Sequence, residues 1–518
     1  MPGEKGFARQ FLLPFANQAV LRGQNNHEDH AMKSFRFSAA ALLLPGLFGF
    51  ALLLSACAPV GPDYVPPQLT APPAWSSPLD EGLVQGEATD AALARWWEGF
   101  ADPLLSSYVR RALAGNEQLA QARASVVASR ARRDLAAAGL APDASLGASL
   151  SRQGGLEQGA DHSTRYGASL DSLWELDLFG GQRRTVEAAE NRVAASELQL
   201  RDLHVSLAAE VALAYFEVRT LQRRLAIASD SLAAQERLLS LTAAKRQAGL
   251  VGELALQQAQ AQTATAKAQL PVLRTSLEQE ENGLATLLGL GPGSLREELR
   301  KSAQLPQPPS LVGVALPAEV LQRRPDVRRA ERLLAAQVAE VGAAEAARYP
   351  TLRLSGIIAL DALSLGDLVS AAAATYAITP RVSFNLWDGG AAVANVRLQS
   401  ALAEDALAAY RETVLAALAE VDDALIATVR QRQRQEALEE SARAAGRALA
   451  LAEVQYRAGL VELTTVLEAH RTQLSALDQQ ETGKAALSGN LVKLYKALGG
   501  GWQADDGSTA PSGEAGKP

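Results

Sequence analysis

Polar and apolar residues alternate along four short stretches of the chain. In the last of them Ile378, Pro380, Val382, Phe384 and Leu386 interleave with Thr379, Arg381, Ser383 and Asn385. In the second, Tyr166, Ala168 and Leu170 interleave with Gly167, Ser169 and Asp171. A period of two predicts β-strands with one apolar and one polar face. They are expected near 144–150, 165–174, 351–360 and 377–387. Such lengths approach the roughly 9–11 residues of a membrane-crossing strand. A soluble sheet would alternate in the same way, so the strands alone do not choose between the two.

After each pair of strands the period lengthens. Residues 183–248 contain neither Pro nor Gly, and 391–458 contain no Pro and only Gly446. Leu221, Leu225, Ala228 and Leu232 in the first run, and Leu407, Tyr410, Val414, Leu418, Val421 and Leu425 in the second, recur at spacings of three and four. That pattern predicts two helices with a narrow apolar seam, each about 100 Å long at about 1.5 Å per residue. Gly249 and Gly459 stand where a left-handed cap would end them. Shorter helices are expected to return over 250–288 and 461–498, and others over 103–138 and 317–348 to lead into the strands.

The two halves match each other. KRQAGLVGEL from Lys245 recurs as QYRAGLVEL from Gln455, LWELDLFGG recurs as FNLWDGG, and Glu210-Val211 recurs as Glu420-Val421. All three landmarks lie 209 or 210 residues from their copies. A single internal duplication of a helix–strand–strand–long helix–helix unit explains this. The repeats are placed at 103–300 and 317–500, with a linker at 301–316 and a disordered tail at 501–518.

Composition narrows the function. Of 518 residues 48% are hydrophobic but only 5% aromatic, which suits close-packed Ala-rich helices better than a bulky globular core. With 50 basic and 57 acidic residues the net charge of −7 leaves no footprint for nucleic acid. One cysteine excludes a disulfide framework and a four-cysteine zinc site. That cysteine, Cys57, closes MKSFRFSAAALLLPGLFGFALLLSAC, in which Lys33 and Arg36 precede an apolar run. Residues 1–56 therefore read as a prefix plus signal peptide, with Met32 the expected start. Leu54-Ser55-Ala56-Cys57 resembles a bacterial lipobox, which implies diacylglycerol and palmitate on Cys57. Residues 57–102, Pro-rich at first, are expected to be a lipid-anchored tether. Ala58 and Pro59 stand where Asp would favour inner-membrane retention, so the outer membrane is expected. No other cofactor and no metal is expected.

Four strands cannot close a barrel, and an open edge cannot face lipid because its unpaired backbone groups would each cost several kcal/mol. Either they form a small soluble sheet or several chains pool theirs. Here the sequence resembles the outer-membrane factor family of efflux channels, in its NodT-type lipoprotein branch. LQRRPDVRRAE from Leu321, AAEAARYPTLRLSG ending at Gly356, LDLFGGQRR, LWDGG, YRAGL from Tyr456, and LLLSAC followed by GPDYVPP carry the resemblance. It implies a mainly α fold with a membrane β-barrel contribution, built as a homotrimer. Three chains would form a 12-stranded outer-membrane β-barrel continuous with a 12-helix periplasmic α-barrel. It also implies a periplasmic membrane-fusion adaptor and an inner-membrane resistance–nodulation–division (RND) transporter as partners, outer-membrane lipid around the barrel, and passive conduction of drugs or other toxic compounds. A type I secretion channel and a non-pore coiled-coil scaffold are the alternatives; no nucleophile, base or cofactor group suggests an enzyme.

Four groups of residues stand out. Asp422 and Asp423 interrupt an apolar helix face and could form a ring of carboxylates in a trimer; the resemblance favours Asp423 as a periplasmic gate with Asp422 beside it. Gly249, Gly459, Lys245 and Arg457 mark helix tips where an adaptor could dock. Arg323, Arg324, Pro325, Asp326, Arg328 and Glu331 read as a structural helix start at the junction of the repeats, with Arg328 and Glu331 on one face. Cys57 is the lipidation site.

Overall fold

The computed structural model describes residues 59–68, 71–86, 90–155, 162–300 and 305–502. The chain divides into Met1–Ala56 and one compact unit, Cys57–Pro518, and every described residue belongs to the second. The signal peptide, Cys57 and most of the C-terminal tail lie outside the described residues.

In chain order the elements are β1 (Leu83–Gln85), α1 (Asp90–Ala94), a 3-10 turn (Trp96–Phe100), α2 (Pro103–Gly115), α3 (Glu117–Ala138), β2 (Asp143–Gly154), β3 (His162–Leu176), α4 (Gly181–Gln247), α5 (Glu253–Leu287) and α6 (Arg296–Leu299). The second half gives β4 (Val312–Val314), α7 (Pro317–Arg323), α8 (Pro325–Ala346), β5 (Thr351–Ala362), β6 (Ala374–Ser383), α9 (Ala391–Arg457) and α10 (Leu463–Ala497). The duplication holds in length. α3 and α8 have 22 residues each, β2 and β5 have 12, α4 and α9 have 67, and α5 and α10 have 35. β3 and β6 differ, at 15 and 10 residues, and so do α2 and α7, at 13 and 7.

Two expected helices are broken. The pattern over 103–138 gives α2 and α3, because Asn116 leaves the helical conformation and its side chain accepts the N–H groups of Gln118 and Leu119 at 2.9 and 3.2 Å. An Asn inside an apolar period reads as neutral, yet its oxygen competes well for orphan N–H groups at a helix start. The pattern over 317–348 gives α7 and α8, because Pro325 keeps Arg324 extended.

The helices lie side by side. On the strand side α4 packs against α3 and α8, and α8 against α9; on the far side α4 packs against α5 and α10, and α10 against α9. The second flank of α9 carries exposed Val393, Leu398, Leu402, Leu415, Ile426, Leu451 and Val454. Midway along, the scarce aromatic residues are pooled rather than spread: Phe100 meets Phe216 at 5.0 Å, Tyr108 meets Tyr215 edge-on at 5.8 Å, and Trp96 stacks on Tyr495 at 5.4 Å. A short parallel pair, β1 with β4, covers this cluster. Sequence reading placed neither strand, since three residues carry no period. Nor is the start of the tail free: Gly501 donates to the Leu93 carbonyl at 2.9 Å, and Arg201 lies 5.1 Å over the Trp502 ring.

Candidate functional site

Strands β2, β3, β5 and β6 form one antiparallel sheet in that order, and β2 and β6 have open edges. Its register sorts the side chains, because residues directly opposite each other point to the same side. Leu146 pairs with Leu170, Leu170 with Ile358, and Ile358 with Tyr376. Every second residue from this row extends one face: Ala144, Ala148 and Leu150 on β2, Tyr166, Ala168 and Trp174 on β3, Leu352, Leu354 and Leu360 on β5, and Ile378, Pro380 and Val382 on β6. Leu146, Tyr376, Ile378 and Val382 are 84, 81, 71 and 69% exposed, so among the described residues nothing covers that face at these positions. The opposite face is polar, with Leu173 and Ile357 its large apolar exceptions. Arg165 pairs with Asp361 at 3.1 Å and Arg353 with Glu175 at 2.8 Å across it. An uncovered apolar face backed by a charged one is the layout of a sheet with lipid outside and water inside.

The strand-to-helix turns repeat one device. Asp177 accepts the N–H groups of Gln182 and Arg183 at 3.2 and 2.9 Å, and Asp388 accepts those of Gly390 and Ala392, both at 2.8 Å. These bonds hold the Asp388 carboxyl below its ordinary value. The acids of LDLFGG and LWDGG thus bind N–H groups at the starts of the two 67-residue helices, whose N-cap residues are Gly180 and Gly390.

At their other ends α4 and α9 close with matched caps. Gly249 and Gly459 have φ of 73° and 76°; Leu250 N–H bonds the Lys245 carbonyl and Leu460 N–H the Gln455 carbonyl, each at 2.9 Å. A Cβ added at either glycine would meet no atom of the described residues within 4 Å beyond its chain neighbours. Gly459→Val should therefore cost only backbone strain, about 1–2 kcal/mol. Hydrogen exchange should show the last turn of α9 frayed while the global melting temperature barely moves. Lys245 Nζ donates to the Tyr456 carbonyl at 2.8 Å and lies 4.0 Å from its ring centre, and Thr242 Oγ1 sits 3.3 Å from the Tyr456 hydroxyl. Lys245 thus ties one tip to the other, and Arg457 Nε reaches only the Glu453 carbonyl of its own helix, at 3.3 Å. Sequence reading missed the tie because Tyr456 lies in the other repeat. Leu250, Leu254 and Leu460 are exposed beside it.

Comparison with known proteins decides the family. The model of the outer membrane efflux protein family matches residues 108–290 and 316–500. The chain belongs to the outer membrane efflux protein family. It is 36% identical over 473 residues to the pyoverdine export outer membrane protein OpmQ of Pseudomonas putida, covering 89% of this chain and 97% of that one. It is 30% identical to nodulation protein T of Rhizobium leguminosarum bv. trifolii, covering 87% and 94%. The solved outer-membrane channel OprN is similar with a TM-score of 0.79 and 36% identity, over 86% of this chain and all of that one. This efflux protein is accordingly an outer-membrane channel of a tripartite efflux system, mainly helical, with its long helices on the periplasmic side. Such a system associates it with an adaptor and an inner-membrane transporter.

The junction of the repeats is an ionic knot. Arg324 is 8% exposed; its guanidinium bonds Asp326 at 3.0 and 2.7 Å, Glu420 of α9 at 2.6 Å and the Ala497 carbonyl of α10 at 2.9 Å. Burial would lower its pKa, but the two carboxylates outweigh burial and raise it. Pro325 and Asp326 open α8, and Arg323 closes α7. Arg328 and Glu331 do not pair. Glu331 instead accepts the Tyr64 hydroxyl at 3.3 Å, while burial and the neighbouring Arg201 and Arg332 lower the Arg328 pKa.

Asp422 and Asp423 are separated by what they face. Asp422 accepts the Ser76 hydroxyl and, at 3.1 Å, the Ser77 N–H, whereas Asp423 is exposed. Burial raises the Asp422 pKa, yet the Ser76 and Ser77 donors prevail and hold it below 3.8. The Asp422 carboxylate is thus committed to the segment after the Pro-rich stretch, so the reading of it as a second gate residue does not fit its contacts. The pair also stands 34 residues before Arg457, about 51 Å from the tips at helical rise.

That N-terminal segment is more than a tether. Val60 N–H bonds the Phe179 carbonyl at 3.0 Å, Arg184 reaches Asp63 at 2.6 Å, and Trp75 Nε1 donates to the Ala315 carbonyl at 2.8 Å. Gly61 lies so close to α8 that a Cβ there would collide with the Cα of Gly342. The segment runs as a strap from the strand-to-helix turn to the aromatic cluster. Because Asp422 is held ionised, its grip is complete above pH of about 4 and is lost as pH falls through its lowered value. Protease cleavage within 71–86 should rise in acid, and Asp422→Asn should cleave equally at both pH values.

Proposed function

We propose that three copies of this chain pool their sheets into one 12-stranded outer-membrane barrel and their helices into a periplasmic tunnel. The observation that carries this reading is the single apolar face running in register across four strands whose two outer edges are open. A closed barrel removes both edges and lets lipid cover the apolar face, and four strands are too few for one chain to do so. Diacylglycerol and palmitate on Cys57 fit the same geometry. Pro59, two residues on, packs beside Gly180 at the strand-to-helix turn, so a lipid there would reach the periplasmic leaflet of the outer membrane.

The tips formed by Gly249, Leu250, Gly459 and Leu460 are the docking surface for the periplasmic adaptor, and the inner-membrane partner is an RND-type transporter. The tie from Lys245 to Tyr456 favours the tips, rather than the mid-helix Asp423, as the place of closure. Conduction is passive, with cargo chosen by the inner-membrane transporter. The related OpmQ is named for pyoverdine export, and drugs or other small toxic compounds are the cargo class proposed here. Planar bilayers test the duct. The purified protein should give discrete conductance steps, larger in Lys245→Met than in Asp423→Ala. A verified trimer that conducts nothing would sink the reading.

A further inference from the structure

The polar face of the sheet is not uniform. Two of its acids are neutralised, Glu175 by Arg353 and Asp361 by Arg165. The other two, Asp143 and Asp171, meet no cation among the described residues; Asp171 takes the Ser169 hydroxyl at 2.7 Å. Register puts this second pair on neighbouring strands, Asp143 opposite Leu173 and Asp171 opposite Ser145. The two acids therefore stand on a diagonal, about 7–8 Å apart at the backbone. Arg381 on β6 lies two strands from Asp171 and three from Asp143, and makes an ion pair with neither.

Beside these two acids the wall is hollow. A cavity of about 320 Å³ opens there, lined by Asp143, Ser145, Asp171, Leu173, Ser355 and Ile357. Leu173 and Ile357, the large apolar exceptions of that face, are 51 and 37% exposed. Asp143 stands directly opposite Leu173, and Asp171 directly opposite Ile357. Each unpaired carboxylate thus has a large apolar side chain beside it. Both features are unfavourable alone, since water gains nothing from Leu and Ile and two uncompensated carboxylates repel each other. One kind of ligand relieves both. A bare metal ion would find few oxygen ligands on the apolar side, and a neutral apolar compound would leave the acids as they are. An organic cation with an apolar body meets the charge and covers the apolar side chains together.

We propose that this hollow binds organic cations that carry an apolar body, such as quaternary ammonium compounds with an aromatic group. The proposal rests on the reading of the polar face as the wall of a water-filled duct, and adds to it the chemistry of one class of cargo. The cationic centre sits between Asp143 and Asp171, and the apolar body lies on Leu173 and Ile357. Asp143 is the first residue of β2, so the hollow stands at the helix end of the barrel, where cargo enters it. A site on an open wall holds its ligand weakly and releases it quickly, which suits a duct that must not retain what it carries.

Block of the current through the full-length protein in planar bilayers tests the site. The probe is benzyltriethylammonium, and tetramethylammonium, which has the charge without the aromatic body, is its comparison. The wild-type current should be blocked by the probe at lower concentration than by tetramethylammonium. Asp143→Asn with Asp171→Asn should raise the half-blocking concentration of the probe about tenfold, as two partly exposed ion pairs would. Leu173→Ser keeps both charges and should weaken the probe about threefold while leaving tetramethylammonium unchanged. Ser355→Arg puts the protein's own cation into the hollow and should abolish the difference between the two compounds. Should the double variant assemble poorly, Leu173→Ser and Ser355→Arg decide the matter. A wild-type current that the probe does not block, or block that changes equally for both cations in every variant, Leu173→Ser included, overturns the proposal. A verified wild-type trimer without conductance would overturn the duct itself, a separate and recognisable result.

Discussion

Ile358→Arg should remove most of this protein from the outer membrane, whereas Ser355→Arg should be tolerated. The two residues lie three apart on β5 and point to opposite faces. Ile358 is 58% exposed near the middle of the apolar face, between Leu170 and Tyr376; Ser355 lies on the face that carries Arg353 and Asp361. An arginine on the lipid side near the bilayer midplane costs about 2–4 kcal/mol, and the proposed trimer would bear that cost three times. On the polar side the same guanidinium stays in water. The readout is heat-modifiable oligomer in outer-membrane fractions. Equal loss, or equal tolerance, of the two variants would mean that the face is not the lipid surface.

The second large effect is expected at Arg324. Arg324→Met keeps the bulk but leaves Asp326, Glu420 and the Ala497 carbonyl without the cation they share. Asp202 adds to the strain, since burial and the nearby Asp326 already raise its pKa. Stripping one partner from a buried ionic group typically costs about 3–5 kcal/mol; Glu420 is partly exposed, so about 3 kcal/mol is expected. Arg324→Lys should recover only part of this, because an ammonium cannot serve three acceptors in a planar fork. Thermal unfolding of the detergent-solubilised protein measures both. An Arg324→Met protein that melts like the wild type would show that the knot contributes nothing to the join.

Much of this architecture was legible in the chain. The 67-residue helices declared themselves by the absence of Pro and the near absence of Gly, and the strands by their period of two, because both signals are local. What was not legible depends on partners far apart in sequence. Nothing around Lys245 indicates that its ammonium meets Tyr456, and Asp422 beside Asp423 reads as a charge pair until Ser76 is seen to claim one of them. Arg328 and Glu331 share a face by spacing, yet the hydroxyl that Glu331 accepts comes from Tyr64, 267 residues away. The C-terminal end of β6 shows the opposite case. Its alternation runs to Leu386 while the strand stops at Ser383, where the neighbouring strand β5 begins at Thr351.

The strap also sets a timetable. Tyr64 finds its partner 267 residues downstream, Trp75 finds its own 240 residues away, and Ser76 reaches 346 residues ahead. Contacts of such separation form slowly, after the loop between them has closed. The N-terminal segment therefore cannot settle until more than half of the second repeat has emerged on the far side of the inner membrane. Until then residues 59–86 lack these partners, and a chain truncated before α9 would leave Ser76 and Ser77 with nothing to hold.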